Sequence, residues 1–261
     1  MAHDAAIPQD EARFLRPEKM RLQPIRAYKA FNRLIRDKED TAQVFEIMKA
    51  LTGQSVAKGY YKLLRTAEGG RQAFLGEELV EKLKDRAWLD GFAPGTVGAA
   101  YRDFMGVRGF EPDGLVEIER KVVPHIDDPH PIAWYSRRLR DVHDIWHVLA
   151  GYETDALGEA CVVSFSYAQT HQLGFAFIGL GAAREIHREN RNIPARKAVF
   201  EAWRNGRKAA WLPALDYEAL FAEPLADARR RLNIREPRIY NAVPVEARQA
   251  LRLRAAPAMN G

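Results

Sequence analysis

The chain has 261 residues, 47% hydrophobic and 29% charged, which is enough apolar material for a sizeable core in one large domain or two small ones. Its single cysteine, Cys161, excludes an intrachain disulfide and fits a reducing compartment; lying in an apolar run, it reads as a small core hydrophobe. The net charge of +5 and pI near 9.3 admit anionic lipid or acidic substrates, but no segment has the form of a nucleic-acid module, and no nucleic acid is expected as a partner.

Residues 1–23 are polar and mixed and predict a mobile arm, with one helical turn near Glu11 to Leu15; the start lacks the basic and apolar regions of a secretory signal. Ile25, Tyr28, Phe31, Leu34 and Ile35 then recur at helical spacing, and Thr41 opens a second helix that buries Val44, Phe45, Ile47, Met48 and Leu51 and stops at Gly53. A third helical pattern through Val56, Tyr60, Leu63 and Leu64 breaks at Glu68-Gly69-Gly70, and Leu79, Leu83 and Trp88 predict a short helix. Thr96 is placed to cap a helix through Tyr101 and Phe104, with Gly98 allowing a close neighbour. Gly106, Gly109, Pro112 and Gly114 mark an irregular connection, and Leu115–Ile118 with Lys121–Val123 predict at most one small hairpin. The proline-rich stretch around His125 and His130 reads as a loop, with both histidines solvated. One helix is expected from Ile132 to Ala150.

That helix carries the most informative residues. His143 and His147 stand four apart, which puts both imidazoles on one face, with Asp144 on its adjoining edge. Glu159 follows His147 by twelve residues and on an unbroken helix would point about 120° away. A bend is available: Gly151 suits a helix C-terminus, and Thr154 or Asp155 can cap the next helix, so that Glu159 enters its first turn facing back. Two imidazoles and two carboxylates form a ligand set for one divalent ion (zinc, iron or cobalt) at a helix-turn-helix corner. The alternative is a packed or solvated histidine pair. The flanking Val142, Ile145, Trp146, Val148 and Leu149 favour the metal, since a buried carboxylate needs a counter-charge. Arg140 shares the general face of both histidines and suits either a substrate carboxylate or a salt bridge to Asp141 or Asp144.

Residues 161–183 are uncharged and near the length of a membrane span, but Ser164, Ser166, Gln169, Thr170, His171 and Gln172 in the middle favour a helix buried in protein, with His171 a hydrogen-bonded core residue. Further on, Phe200, Trp203 and Trp211 punctuate Arg204, Arg207 and Lys208. This is either a surface helix that rests on a membrane face or aromatics packed on the core beneath a solvated basic face. Residues 235–261 predict a terminal helix and a loose tail.

The spaced pattern His143-Asp144-x-x-His147 followed by Glu159 resembles the signature of the Coq-four family of ubiquinone (coenzyme Q) biosynthesis proteins. Ala93-Pro94-Gly95-Thr96-Val97-Gly98 through Tyr101, and Tyr135-Ser136-Arg137-Arg138-Leu139-Arg140-Asp141, resemble the family's flanking segments in the same order, and Pro213, Asp216-Tyr217 and Leu225 to Leu232 its closing one. The likeness runs from about residue 25 to about residue 234. It implies an all-α fold with a single helical domain over 24–234, preceded by the arm and followed by the C-terminal helix and tail of 235–261. It also implies an enzyme that removes the ring carboxylate of a polyprenylated hydroxybenzoate, with or without hydroxylation of the same carbon. His143, Asp144, His147 and Glu159 would be the ligands, and Arg140 a further catalytic residue. An apolar slot for the prenyl tail, other ubiquinone biosynthesis enzymes as partners, a homo-oligomer, and a cytoplasmic place or a peripheral one on the inner face of a bacterial membrane complete the expectation. Two other functions fit parts of the chain: a non-catalytic lipid-binding organiser of the biosynthetic complex, and a phosphohydrolase of the His-Asp type.

Overall fold

The structure, a computed structural model, describes residues 21–37, 40–108, 113–123 and 126–251. The expected arm up to residue 20, the turn at Glu11 to Leu15, His125 and the tail from 252 lie outside these residues. Among the described residues the regular structure is helical, with one isolated bridge between Thr96 and Pro224.

The chain first forms a helical hairpin, α1 (Pro24–Arg36) and α2 (Thr41–Leu51), then α3 (Ser55–Leu63), α4 (Ala67–Leu75), α5 (Leu79–Lys84), α6 (Arg86–Asp90), α7 (Val97–Arg108) and α8 (Asp113–Val122). α9 (Pro131–Asp141), α10 (His143–Ala150), α11 (Ala156–Thr170), α12 (Leu173–Glu189) and α13 (Ala195–Lys208) build the centre. A 3-10 turn at Leu212–Ala214 leads to the short α14 (Tyr217–Phe221), α15 (Leu225–Arg231), α16 (Arg238–Asn241) and α17 (Val245–Ala250). α11 is the axis. It packs most extensively against α13 and α12, and α12 passes the contact on to the α1–α2 hairpin. Leu157, Cys161, Val162 and Phe165 have no exposed surface, and Cys161 is a buried free thiol whose ionisation burial disfavours. Tyr240, Val243 and Leu251 join this same core, while Val56, Leu63, Trp134, Tyr135 and Leu139 form a smaller one under α9.

Three buried polar residues of α11 are satisfied within the protein. Gln169 donates to the Gly206 carbonyl (2.7 Å) and accepts from the Leu212 N–H (2.8 Å), while Ser164 and Thr170 donate to the carbonyls of Ala160 and Ser166. A buried amide bonded on both ends belongs to a protein interior, not to lipid. No helix among the described residues is long and apolar enough to cross a membrane.

Several local expectations are corrected. The uncharged run is two helices: His171 adopts φ +57°, its N–H reaches the Tyr167 carbonyl to close α11, and its side chain is exposed, not in the core. Residues 115–122 continue a helix in place of a hairpin, with Val116 and Glu119 buried at helical spacing. Glu68-Gly69-Gly70 lies inside α4, which Thr66 caps; a side chain at Gly69 would collide with Thr66 and Leu63. The single short helix expected through Leu79 and Trp88 is two, divided at Asp85, whose carboxylate caps the second. Gly106 continues α7, and Gly114 lies inside α8. Ile25 and Tyr28 are 72% and 59% exposed, because α1 buries Ala27, Ala30 and Phe31 instead, with Phe31 packed on Phe177 of α12. The Ile132–Ala150 helix bends at Val142 (φ −82°, ψ −5°), although the Val142 N–H still reaches the Arg138 carbonyl and its own carbonyl accepts from Trp146. Thr96 caps α7 as expected, through a 3.3 Å contact with the Ala99 N–H.

Gly206 sets the distance between α11 and α13: a Cβ there would lie 2.7 Å from the Phe165 carbonyl oxygen, which is backbone and cannot swing away. Gly206→Ala is therefore expected to destabilise the protein by about 1–3 kcal/mol. Thermal denaturation reads this directly, and an unchanged midpoint would contradict the close packing of the two helices.

Candidate metal centre

Two local devices make the corner between α10 and α11. Gly151 takes φ +76°, a left-handed conformation that glycine adopts without steric penalty, and its N–H and that of Tyr152 both return to the His147 carbonyl. Four residues on, the Asp155 carboxylate accepts the N–H groups of Leu157 and Gly158, both at 3.0 Å, and starts α11. The helix can begin this close to the turn because residue 158 is glycine; a Cβ there would fall 2.0 Å from the Glu153 carbonyl oxygen. Glu159 then lies in the first turn of α11 and faces back toward α10.

The result is a compact group of donors. His143, Asp144 and His147 each offer an atom within 4.8 Å of the others. The Glu159 carboxylate is outside that mutual set but lies 3.5 Å from His147 Nε2 and 3.8 Å from His143 Nε2. Ligand atoms about 2.0–2.2 Å from one divalent ion stand roughly 3–4 Å apart, so these separations suit a shared ion. The two imidazole rings are 4.9 Å apart and nearly perpendicular, and Phe104 of α7 packs against His147.

His147 is 1% exposed, and the two sides of its ring are treated differently. Nδ1 lies 3.0 Å from the Tyr152 carbonyl oxygen, an acceptor only, so this bond requires the proton on Nδ1. Nε2 is then left with its lone pair toward Glu159, buried and without a hydrogen-bond partner. A backbone carbonyl that fixes the tautomer while an orphaned nitrogen faces a carboxylate is how metal-binding histidines are held. The residues present fit a divalent ion. Glu159 is 30% exposed and His143 23%, so the group is open on one side.

Electrostatics agree. Burial alone favours neutral Glu159, but His147 and then His143 outweigh it and hold the carboxyl well below its usual range. Burial also disfavours charge on His147, yet Glu159 first, then Asp144, raises its pKa. Tyr101 is buried beside this group, and burial, aided by Asp144 and Asp141, drives its pKa far up.

Arg140 takes the second of its two readings. Nε and Nη2 contact Asp141 Oδ1 at 2.8 and 2.6 Å, and Nη1 donates to Glu119 at 2.8 Å, all three side chains being buried. Its charge is neutralised inside the protein. His130 caps α9 by accepting the Ile132 N–H at Nδ1.

Three supports escaped the sequence reading. Arg229 donates to the carbonyls of Val148 and Leu149, closing the C-terminal end of α10. The Tyr240 hydroxyl donates to Asp155 Oδ2 (2.6 Å) and accepts the Glu153 N–H (3.1 Å). Arg248 lies over the Tyr240 ring at 4.2 Å and 3.6 Å from the same carboxylate. The C-terminal helices thus clamp the cap that aims Glu159. No spacing rule links Tyr240 to Asp155; only the fold brings them together.

A family model described as coenzyme Q (ubiquinone) biosynthesis protein Coq4 matches residues 19–238. Curated relatives named ubiquinone biosynthesis protein COQ4 homolog, mitochondrial, include those of Danio rerio (30% identical over 156 residues, 59% of this chain and 54% of that protein) and Xenopus tropicalis (32% over 145 residues, 55% and 49%). The Bos taurus protein is 27% identical over 195 residues, 73% of this chain and 71% of its own length. The chain thus spans about half the length of the zebrafish and frog proteins. A crystal structure of a Nostoc punctiforme protein superposes with a TM-score of 0.61 at 20% identity, covering 83% of this chain and all of that one, which establishes the likeness of fold.

Two outcomes are expected. Tyr240→Phe, which removes the donor to Asp155 and strands the Glu153 N–H, should lower stability by about 1–2 kcal/mol and weaken divalent-metal binding; calorimetry of both would show it, and unaltered metal affinity would contradict the clamp. In metal-free protein, the raised His147 pKa gives stability that is full below its unfolded pKa of about 6.5 and is lost as pH rises through the folded value. The depressed Glu159 pKa gives stability present above about 4.3 and lost as pH falls through the folded value. Metal-free melting temperature should therefore fall as pH rises from about 6.5 through the His147 titration, while stabilisation by added metal should grow, since the ion needs neutral imidazole. Parallel pH profiles with and without metal would contradict this.

Proposed function

The chain belongs to the Coq4 family of coenzyme Q (ubiquinone) biosynthesis proteins, and from that premise we propose that it is a metal-dependent decarboxylase acting on a polyprenylated hydroxybenzoate. The observation that carries the reading is the buried, unpartnered Nε2 of His147 facing Glu159, beside His143 and Asp144. These four residues would hold the ion. A bound divalent ion supplies Lewis-acid polarisation of the substrate's carboxylate or phenol oxygen, and if dioxygen is consumed a redox-active ion such as iron or cobalt is required in place of zinc.

The remaining contributions are the chain's own. The Tyr152 carbonyl keeps the His147 proton on Nδ1 and so keeps Nε2 a donor of its lone pair. Phe104 packs against the His147 ring and Tyr101 is buried beside the group, leaving the side at Glu159 and His143 for the substrate ring. Trp146 of α10 is fixed by donating from Nε1 to the Tyr217 hydroxyl at 2.8 Å. Arg140 pairs with Asp141 at the end of α9 and with Glu119 of α8, which makes it a positioning residue for the helix that follows. In the reaction the ring–carboxylate C–C bond breaks and carbon dioxide leaves with the carboxyl carbon. In the non-oxidative form the ring carbon takes a proton from water; in the oxidative form one atom of dioxygen becomes the ring hydroxyl and the other leaves as water, with two electrons and two protons supplied by a reducing co-substrate. The substrate comes from, and the product passes to, other enzymes of the pathway.

Elemental analysis of protein purified without added metal, followed by product analysis on a prenylated hydroxybenzoate, tests the reading. One bound ion and release of carbon dioxide are expected. Glu159→Gln should keep the fold, lose the ion and lower turnover by at least about 100-fold. Full turnover in that variant, or a folded metal-loaded protein that forms no product, would overturn the assignment.

A further inference from the structure

The outward face of α13 is not used by the site. Arg196, Lys197, Phe200, Trp203, Arg204, Arg207 and Lys208 recur at helical spacing on that face, while Ala195, Ala198, Val199, Ala202, Asn205 and Gly206 are buried beneath it. Phe200 stands at its centre with 59% of its surface exposed and packs against the half-buried Trp203, their centroids 5.3 Å apart. The five cations of this helix flank the aromatics, Arg207 lies over the Trp203 ring at 5.0 Å, and none of the five forms an ion pair among the described residues. The acidic residue of the helix, Glu201, is buried and accepts the Ile239 N–H (2.8 Å), so it does not offset the surface charge. A groove of about 320 Å³ is lined by Arg196, Lys197, Phe200, Glu201, Arg204 and Ile239.

We propose that this face docks on an anionic lipid bilayer. An exposed aromatic centre with unpaired cations on both edges matches the layering of a bilayer interface, with rings at the headgroup–acyl boundary and guanidinium and ammonium groups at the phosphates. The helix spans about 20 Å, long enough to lie flat in that plane. Its inner side packs on α11, the helix that carries Glu159, so docking would bring the candidate metal centre within one helix layer of the membrane. The inference concerns the surface alone and does not require the proposed reaction.

Flotation of the full chain with vesicles tests it: phosphatidylcholine mixed with phosphatidylglycerol, against phosphatidylcholine alone. Binding to the mixed vesicles, lost at high salt, is expected. The double variant R204Q/R207Q should lower the partition coefficient about 30-fold, and Phe200→Ser should lower it several-fold, with melting temperatures unchanged because these side chains are exposed. K29Q/R36Q, on the exposed face of α1, should bind like the unaltered protein. Absent binding, equal binding to neutral vesicles, or loss in the α1 variant but not the α13 variant would overturn the assignment. So would self-association that R204Q/R207Q abolishes in a protein without vesicle affinity, which would give the face to a second copy of the chain.

Discussion

The structure depends on a change of chain direction between His147 and Glu159. A continuous helix would carry the carboxylate away from the imidazoles; the left-handed Gly151 and the Asp155 cap turn it back within a few residues. The turn is held from outside by Arg229 on the carbonyls at the end of α10 and by Tyr240 on the Asp155 carboxylate. What it stabilises is costly in isolation: a buried imidazole nitrogen without a hydrogen bond, beside acidic groups. Two imidazoles and a carboxylate that converge on one point, with the His147 tautomer fixed by the Tyr152 carbonyl, are better explained as a ligand set than as packing.

Around this corner the fold keeps charge and polarity under close control. Arg140 is paired with both Glu119 and Asp141, and Gln169, Ser164 and Thr170 of α11 bond within the helix bundle. The net positive charge is left on the surface, where α13 concentrates it around two aromatic rings.

Much of the site was legible in the sequence because its causes are local. Histidines four apart share a helix face, Gly151 ends α10 and Asp155 caps α11, each through neighbouring residues and each in the expected place. What was not legible depends on distant segments. Arg140 finds Glu119 twenty-one positions upstream, and Tyr240 reaches Asp155 across eighty-five. Residues 115–123 suggest a small hairpin, but Val116 and Glu119 also stand at helical spacing, and the helix that buries them prevails. The uncharged run 161–183 concealed its own turn because His171, a residue without special turn propensity, supplies the left-handed conformation there.

The most direct test of the central claim is a crystal structure of the metal-loaded protein with anomalous data collected at the metal absorption edge. A single anomalous peak bonded to Nε2 of His143, Nε2 of His147 and a Glu159 carboxylate oxygen is predicted. A peak elsewhere, or a Glu159 side chain turned to solvent with the ion held by other residues, would contradict it.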